Sequence, residues 1–276
     1  MHLTLTLTLL FLSTFLSAQN QDIKILRQQN KIKATYTYTY DLETGDSLLM
    51  DCNTYNKKGN LLRDIRYNKE GAIRYQYRPT YNKKGLMTKQ VGYDESKAIS
   101  TILVYEYDKN DNRIIYKQLS PEGNILNYQK RRFNKKGQNT HLYNRVPYSN
   151  TFVLSSKFYY RKDGQDEKSE RFNTRGQLTA TSLYQYNEKN LLIATYQLVD
   201  GDSTLISTNT YNAQQQLLEL AYPRKVEKIE NEKLVTIDTS TKTQYGYDQE
   251  GNLIEERIFE GGQLIKQKKY FFKKFR

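Results

Sequence analysis

Seven lysines recur at one kind of place in this chain. Lys57, Lys58, Lys83, Lys84, Lys109, Lys135 and Lys136 follow the pairs Tyr55-Asn56, Tyr81-Asn82, Tyr107-Asp108 and Phe133-Asn134, which return every 26 residues. A row of ammonium groups at a fixed interval suits a partner with repeated negative charge, such as an anionic envelope polysaccharide. The same row also serves solubility, because lysine at turns and sheet edges discourages edge-to-edge aggregation.

Residues suited to catalysis are scarce. Beyond the first eighteen residues there is one histidine, His141, and the whole chain has one cysteine, Cys52. A metal site usually needs two or more His or Cys ligands at definite spacing. A nucleophilic cysteine needs a base beside it, and a Ser-His-Asp relay needs a histidine poised by a carboxylate. Cys52 reads as a small strand residue and His141 as an exposed strand residue near a turn. The 30 acidic residues could supply a carboxylate pair for glycoside hydrolysis, but their abundance makes any one pair uninformative. The expectation is a protein without catalytic residues, metal or cofactor, with a secreted glycoside hydrolase as the alternative.

The elements that would carry the lysines follow from the repeat. Tyr55, Tyr67, Tyr81, Tyr93 and Tyr107 are spaced by steps of 12 and 14 residues in alternation, so each period of 26 has a short and a long arm. Phe133, Tyr160, Phe172, Tyr186, Tyr211 and Tyr247 continue the series with small slips and one insertion near 224–242. In Asn56-Lys57-Lys58-Gly59 the Asn side chain can accept from the backbone two residues on, while Gly59 supplies the left-handed conformation of a bulged hairpin turn. Between turns the residues alternate: Ile73, Tyr75, Tyr77 and Tyr81 on one face, Arg74, Gln76, Arg78 and Thr80 on the other. That period of two, with 25 tyrosines and only 4 prolines in the chain, marks half-buried strands.

The fold class is therefore all-β: an antiparallel meander of repeated hairpins of about eighteen strands. Open twisted sheets rarely exceed about ten strands, so the sheet should be curled or wrapped. The tyrosine stripes read as its core. Alternate turns emerge at opposite edges. The lysine turns thus share one edge, and Glu70, Asp94, Glu95 and Glu122 share the other.

Tyr105-Glu106-Tyr107-Asp108, Tyr184-Gln185-Tyr186-Asn187 and Tyr245-Gly246-Tyr247-Asp248-Gln249-Glu250-Gly251-Asn252-Leu253 resemble the YD repeats of Rhs proteins. Gly59-Asn60-Leu61 and Gly176-Gln177-Leu178 fit the same pattern, and the twelve-residue spacing is similar to MORN-like variant repeats. The resemblance covers most of the chain after about residue 30. It implies a sheet that wraps, and a surface for glycan or protein. Rhs proteins use their repeats as a shell around a cargo. In this much shorter sequence nothing after Tyr270 reads as a toxin-like extension, so a shell around a cargo is not expected.

Residues 1–18 read as a signal peptide: Leu3 to Leu16 carries no charge, and Ser17-Ala18-Gln19 offers a small-residue cleavage site. Residues 19–276 form the repeat domain. The expected location is secreted, periplasmic or at the cell surface, with no transmembrane helix once the signal is removed. Net charge of +13 would suit nucleic acid, but export argues against that partner. The leading expectation is an envelope or extracellular module that binds anionic polysaccharide or another protein. The first alternative is an assembly protein that pairs through exposed terminal strands. An outer-membrane barrel is disfavoured because Arg63 shares a face with Leu61 and Ile65, and Lys89 with Met87 and Val91.

Overall fold

The computed structural model describes residues 23–230 and 233–275. The expected signal peptide lies outside them. After a short helix α1 (residues 23–29), the chain runs as consecutive antiparallel hairpins. The strands are β1 (Ile32–Tyr40), β2 (Ser47–Tyr55), β3 (Leu61–Tyr67), β4 (Ile73–Tyr81), β5 (Met87–Tyr93), β6 (Ile99–Tyr107), β7 (Arg113–Leu119), β8 (Ile125–Phe133), β9 (Asn139–Arg145) and β10 (Phe152–Tyr160). They continue as β11 (Asp166–Phe172), β12 (Leu178–Tyr186), β13 (Leu192–Val199), β14 (Asp202–Tyr211), β15 (Leu217–Tyr222), β16 (Lys225–Glu230), β17 (Lys233–Asp238), β18 (Thr241–Tyr247), β19 (Leu253–Glu260) and β20 (Gln263–Lys274).

The meander closes. β1 pairs with β20 over Ile32–Tyr40, so 18 strands form one continuous barrel. The insertion near 224–242 is the separate hairpin β16–β17, with β15 passing directly to β18. Closure overturns the alternative of assembly through exposed terminal strands, because β1 and β20 use their edges on each other. The tail from Tyr270 to Lys274 belongs to β20.

The pairing also explains the curl. The register slips by one residue in nearly every pairing of the wall, most often early in the returning strand; β15–β18 and the hairpin β16–β17 run without a slip. Thr54 faces Arg63 but Tyr55 faces Leu61; Thr80 faces Lys89 but Tyr81 faces Met87; Glu106 faces Ile115 but Tyr107 faces Arg113. Each slip is a β-bulge, which bends the strand and increases its twist. A bulge in nearly every pairing of the wall gives the sheet its curvature.

Following the register around the barrel sorts its side chains into two faces. Arg78, Lys89, Glu106, Lys130 and Arg132, all exposed in mid-strand, lie on one. The opposite face holds groups whose ionisation burial opposes. Tyr105, Tyr184 and Tyr245 are pushed up to about 12, and Asp166 up to about 6. That second face lines the lumen.

The tyrosine stripes are not a packed core as expected. Most lumen tyrosines are half-buried; Tyr55, at 3% exposure, is an exception. A circular barrel of this strand number is roughly 35 Å across between backbones, too wide for side chains to fill. Among the described residues the buried apolar side chains are few and scattered around the wall, Ile32, Ile65 and Leu142 among them. The fold rests on its hydrogen-bonded wall and on contacts between neighbouring strands.

Candidate functional site

Two rims bound the barrel. One carries the turns after Tyr55, Tyr81, Tyr107 and Phe133. All seven lysines singled out in the sequence stand on it, exposed. The turns are built as their residue types require. Asn56 Oδ1 accepts from the Lys58 and Asn60 amides at 2.9 and 3.1 Å, Asn82 repeats this with Lys84 and Leu86, and Asn134 with Lys136 and Gln138. Asp108 does the same for Asn110 and Asn112. Equivalent turns are two strands apart, about 10 Å. The row is not uniformly free: Lys84 Nζ reaches Asp111 of the next turn at 2.7 Å. Glu70, Asp94, Glu95 and Glu122 stand on the opposite rim, so this half of the barrel is basic at one mouth and acidic at the other.

Helix α1 sits at the basic mouth. The Arg27 guanidinium lies over the Tyr55 ring, 4.3 Å from its centroid. Asn30 Nδ2 donates to Asn252 Oδ1 at 2.8 Å, tying the helix end to the turn after β18. The sequence reading did not foresee this helix.

Inside the same mouth the wall from β5 to β9 is uniform in charge. Read along the register, its lumen face presents no carboxylate, and its charged groups are Arg113 and Arg131. Arg113 lies over the Tyr105 ring at 5.4 Å, and Tyr105 packs against Tyr116 with centroids 5.8 Å apart. Burial first, and then the neighbouring Arg113, lower the Arg131 guanidinium to about 10. Arg131 Nε and Asn144 Oδ1 are both buried without a hydrogen-bond partner. These residues escaped the sequence reading. Gln129-Lys130-Arg131-Arg132-Phe133 looks like a solvated basic run; strict alternation is the signal that turns its middle arginine inward.

The residues suited to catalysis stay apart. Cys52 is buried in β2 as a free thiol. His141 is the third residue of β9, close after the turn as expected, but half-buried rather than exposed, on the outer face. Its Nδ1 is 3.0 Å from Thr140 Oγ1 and its ring stacks on Tyr143. Burial, then Lys157 and Arg132, lower its proton affinity. On the outer wall a hollow of about 340 Å³ brings Glu219 and Glu255 together. Glu219 is bridged to Lys242 at 3.5 Å and Glu255 to Arg257 at 2.7 Å. Burial would raise Glu255, but hydrogen bonds from Arg257 and Gln267 outweigh it and hold the group below the usual carboxylate range. Such a carboxylate is a poor proton donor. Among the described residues no three His, Cys, Asp or Glu side chains are grouped to hold a metal, and no helix is long and apolar enough to cross a membrane.

No family model and no curated protein matches the chain. Solved structures with similar strand arrangements include the TcdB2-TccC3-TEV toxin complex (12% identity, 84% of this chain and 14% of that one, TM-score 0.38). They also include a porin-like protein from Bacteroides uniformis (11% identity, 88% of this chain and 98% of that one, TM-score 0.44). A third is the Photorhabdus luminescens Tc holotoxin pore (13% identity, 75% and 15% coverage, TM-score 0.21). This chain thus spans about a seventh of the toxin chains, and with TM-scores below 0.5 none of these likenesses assigns it a role.

Proposed function

We propose that this chain is an exported, non-catalytic β-barrel that binds anionic envelope polysaccharide along its basic rim. The observation that carries the reading is the segregation of charge. Lys57, Lys58, Lys83, Lys109, Lys135 and Lys136 project from successive turns of one mouth, and the acidic turns face the other way. A rim with a lysine excess at regular intervals, interrupted by Asp108 and Asp111 in the Lys109 turn, favours a polymer with regular negative charge over a compact ligand. The resemblance to YD repeats supports the same reading, since those repeats build curved walls with exposed turns.

The barrel works in water on both faces of its wall. Its strands alternate mostly between 7 and 9 residues, so every second one falls short of the roughly 9–11 that span a bilayer. Its outer face carries Arg63, Lys89, Lys117, Lys130, Lys157, Lys168, Lys242 and Lys269, where a membrane barrel needs an apolar band.

The test is retention of residues 19–276 on isolated envelope polysaccharides, without detergent, at low and high salt. Retention should fall as salt rises. It should be lost when Lys57, Lys58, Lys83, Lys84, Lys135 and Lys136 become Gln. Retention that ignores both salt and these substitutions would overturn the rim as the binding surface, and a chain that stays in solution only with detergent would overturn the aqueous barrel.

A further inference from the structure

The unpartnered groups on the lumen wall of β8 and β9, Arg131 near the basic mouth and Asn144 deeper, point to a second feature, distinct from the rim. Arg131 and Asn144 lie on neighbouring strands. Arg131 faces Leu142, and Asn144 is two residues further along that strand on the same face. One buries a donor without an acceptor, the other an acceptor without a donor. An unmade buried hydrogen bond costs about 1–3 kcal/mol, more for a charged group, so native structures leave few of them. Here two occur at diagonal positions of neighbouring strands, and Arg131 is near a second arginine, Arg113, whose charge nothing on the lumen face of β5 to β9 balances.

The missing partner can be described by its chemistry. It brings a planar or tetrahedral anion for two guanidinium groups, since arginine's fork matches carboxylate and phosphate oxygens. It brings a hydroxyl or amide proton for Asn144 Oδ1. It also has a face suited to the tilted Tyr105–Tyr116 pair, whose rings offer apolar area beside the charge. An acidic sugar unit has all three. We propose that Arg113, Arg131, Tyr105, Tyr116 and Asn144 form a lumenal subsite for one anionic saccharide residue, a uronate or a sugar phosphate.

The subsite deepens the polysaccharide reading. A chain lying on the rim beside Lys109, Lys135 and Lys136 would present a residue to it, because Arg113 follows the turn of Lys109 and Arg131 precedes that of Lys135 and Lys136. It is nonetheless separable from the rim, since a short oligomer can fill the subsite without spanning several turns.

Binding of trigalacturonate, of galactose 6-phosphate, of neutral trigalactose and of inorganic phosphate should be measured by calorimetry. The wild type, Arg131→Gln, Arg113→Gln and the six-lysine rim variant would be compared. At least one acidic sugar should bind, and weaken at least tenfold in each arginine variant, while changing less than threefold in the rim variant. Uronate and sugar-phosphate arms tell the two sources of the anion apart. Equal binding of trigalactose, or inorganic phosphate matching the acidic sugars, would overturn the saccharide assignment. Acidic-sugar binding lost in the rim variant and intact in the arginine variants would overturn the location.

A second measurement avoids substitution. The acidic sugar that binds should protect Arg113 and Arg131 of the wild-type chain from phenylglyoxal, read by mass spectrometry, and unchanged modification would sink the subsite even if the polymer binds the rim. Sugar binding with protection but no polymer retention would instead sink the rim reading alone.

Discussion

The Tyr107 hydroxyl donates to the Met87 carbonyl across the β5–β6 hairpin at 2.8 Å, twenty residues back in the chain. Tyr81 does the same to Leu61 at 2.8 Å, Tyr160 to Asn139 at 2.6 Å, Tyr211 to Leu192 at 2.8 Å and Tyr247 to Leu217 at 2.9 Å. These five tyrosines, each opening a turn on the same rim, thus close the end of the preceding neighbour strand, whereas the Tyr55 hydroxyl meets Thr35 Oγ1 and the Tyr186 hydroxyl has no partner. Tyr81→Phe and Tyr107→Phe should each cost about 1 kcal/mol, the usual net worth of such a bond. Phe133 holds the equivalent place without a hydroxyl, so one loss is tolerated. Urea unfolding should show a lower midpoint at an unchanged slope. No change in either variant would mean that water replaces the bond at no cost.

Two turn glycines with the same backbone differ in their surroundings. Gly59 has φ +72° and Gly71 has φ +78°, both in the left-handed region. A Cβ at Gly71 would meet open space, whereas at Gly59 it would come within 2.5 Å of the Lys24 carbonyl oxygen of α1. Gly71→Ala should therefore cost about 1–2 kcal/mol, the backbone strain alone. Gly59→Ala should cost more and push α1 from the mouth. Limited proteolysis near residues 23–30 should speed up in the Gly59 variant and not in the Gly71 variant. Equal rates would show that α1 does not rest on that turn.

Much of this wall was legible in the residues. The 12- and 14-residue steps imply strands of roughly eight and ten, one longer than the seven and nine found, and Asn56 and Gly59 mark their turns, because those signals are local and depend on conformations that few residue types adopt. Closure was not legible. It depends on the bulges that recur around the wall and on β1 meeting β20, some 230 residues later, and neither leaves a composition signal. The rim lysines could be placed because every turn announces its side. Arg131 could not, since its inward direction appears only once the wall has a lumen, and its missing partner only once its neighbours are known.

Asp166 gives the barrel a titratable weak point. It faces the lumen opposite Tyr160 in the register, and burial alone pushes its carboxyl up to about 6. The Tyr186 hydroxyl nearby is buried without a partner. In the unfolded chain the same group has a pKa of about 3.9. Between about pH 4 and 6 the folded state therefore binds more protons than the unfolded state, and stability falls as pH rises through that window. Above pH 6 the full penalty is present, on the order of 1–3 kcal/mol after relaxation and partial hydration. Asp166→Asn removes the ionisable group and should stabilise the fold by about that amount at pH 7.5, with little effect at pH 4. Comparing variant with wild type at each pH cancels the opposite trend of Asp41, Asp94 and Asp108, which hydrogen bonds hold low. Urea midpoints at pH 4, 5, 6 and 7.5 decide it. A difference that stays constant across the series would show that Asp166 is ionised at no cost, with the lumen beside it as wet as bulk water.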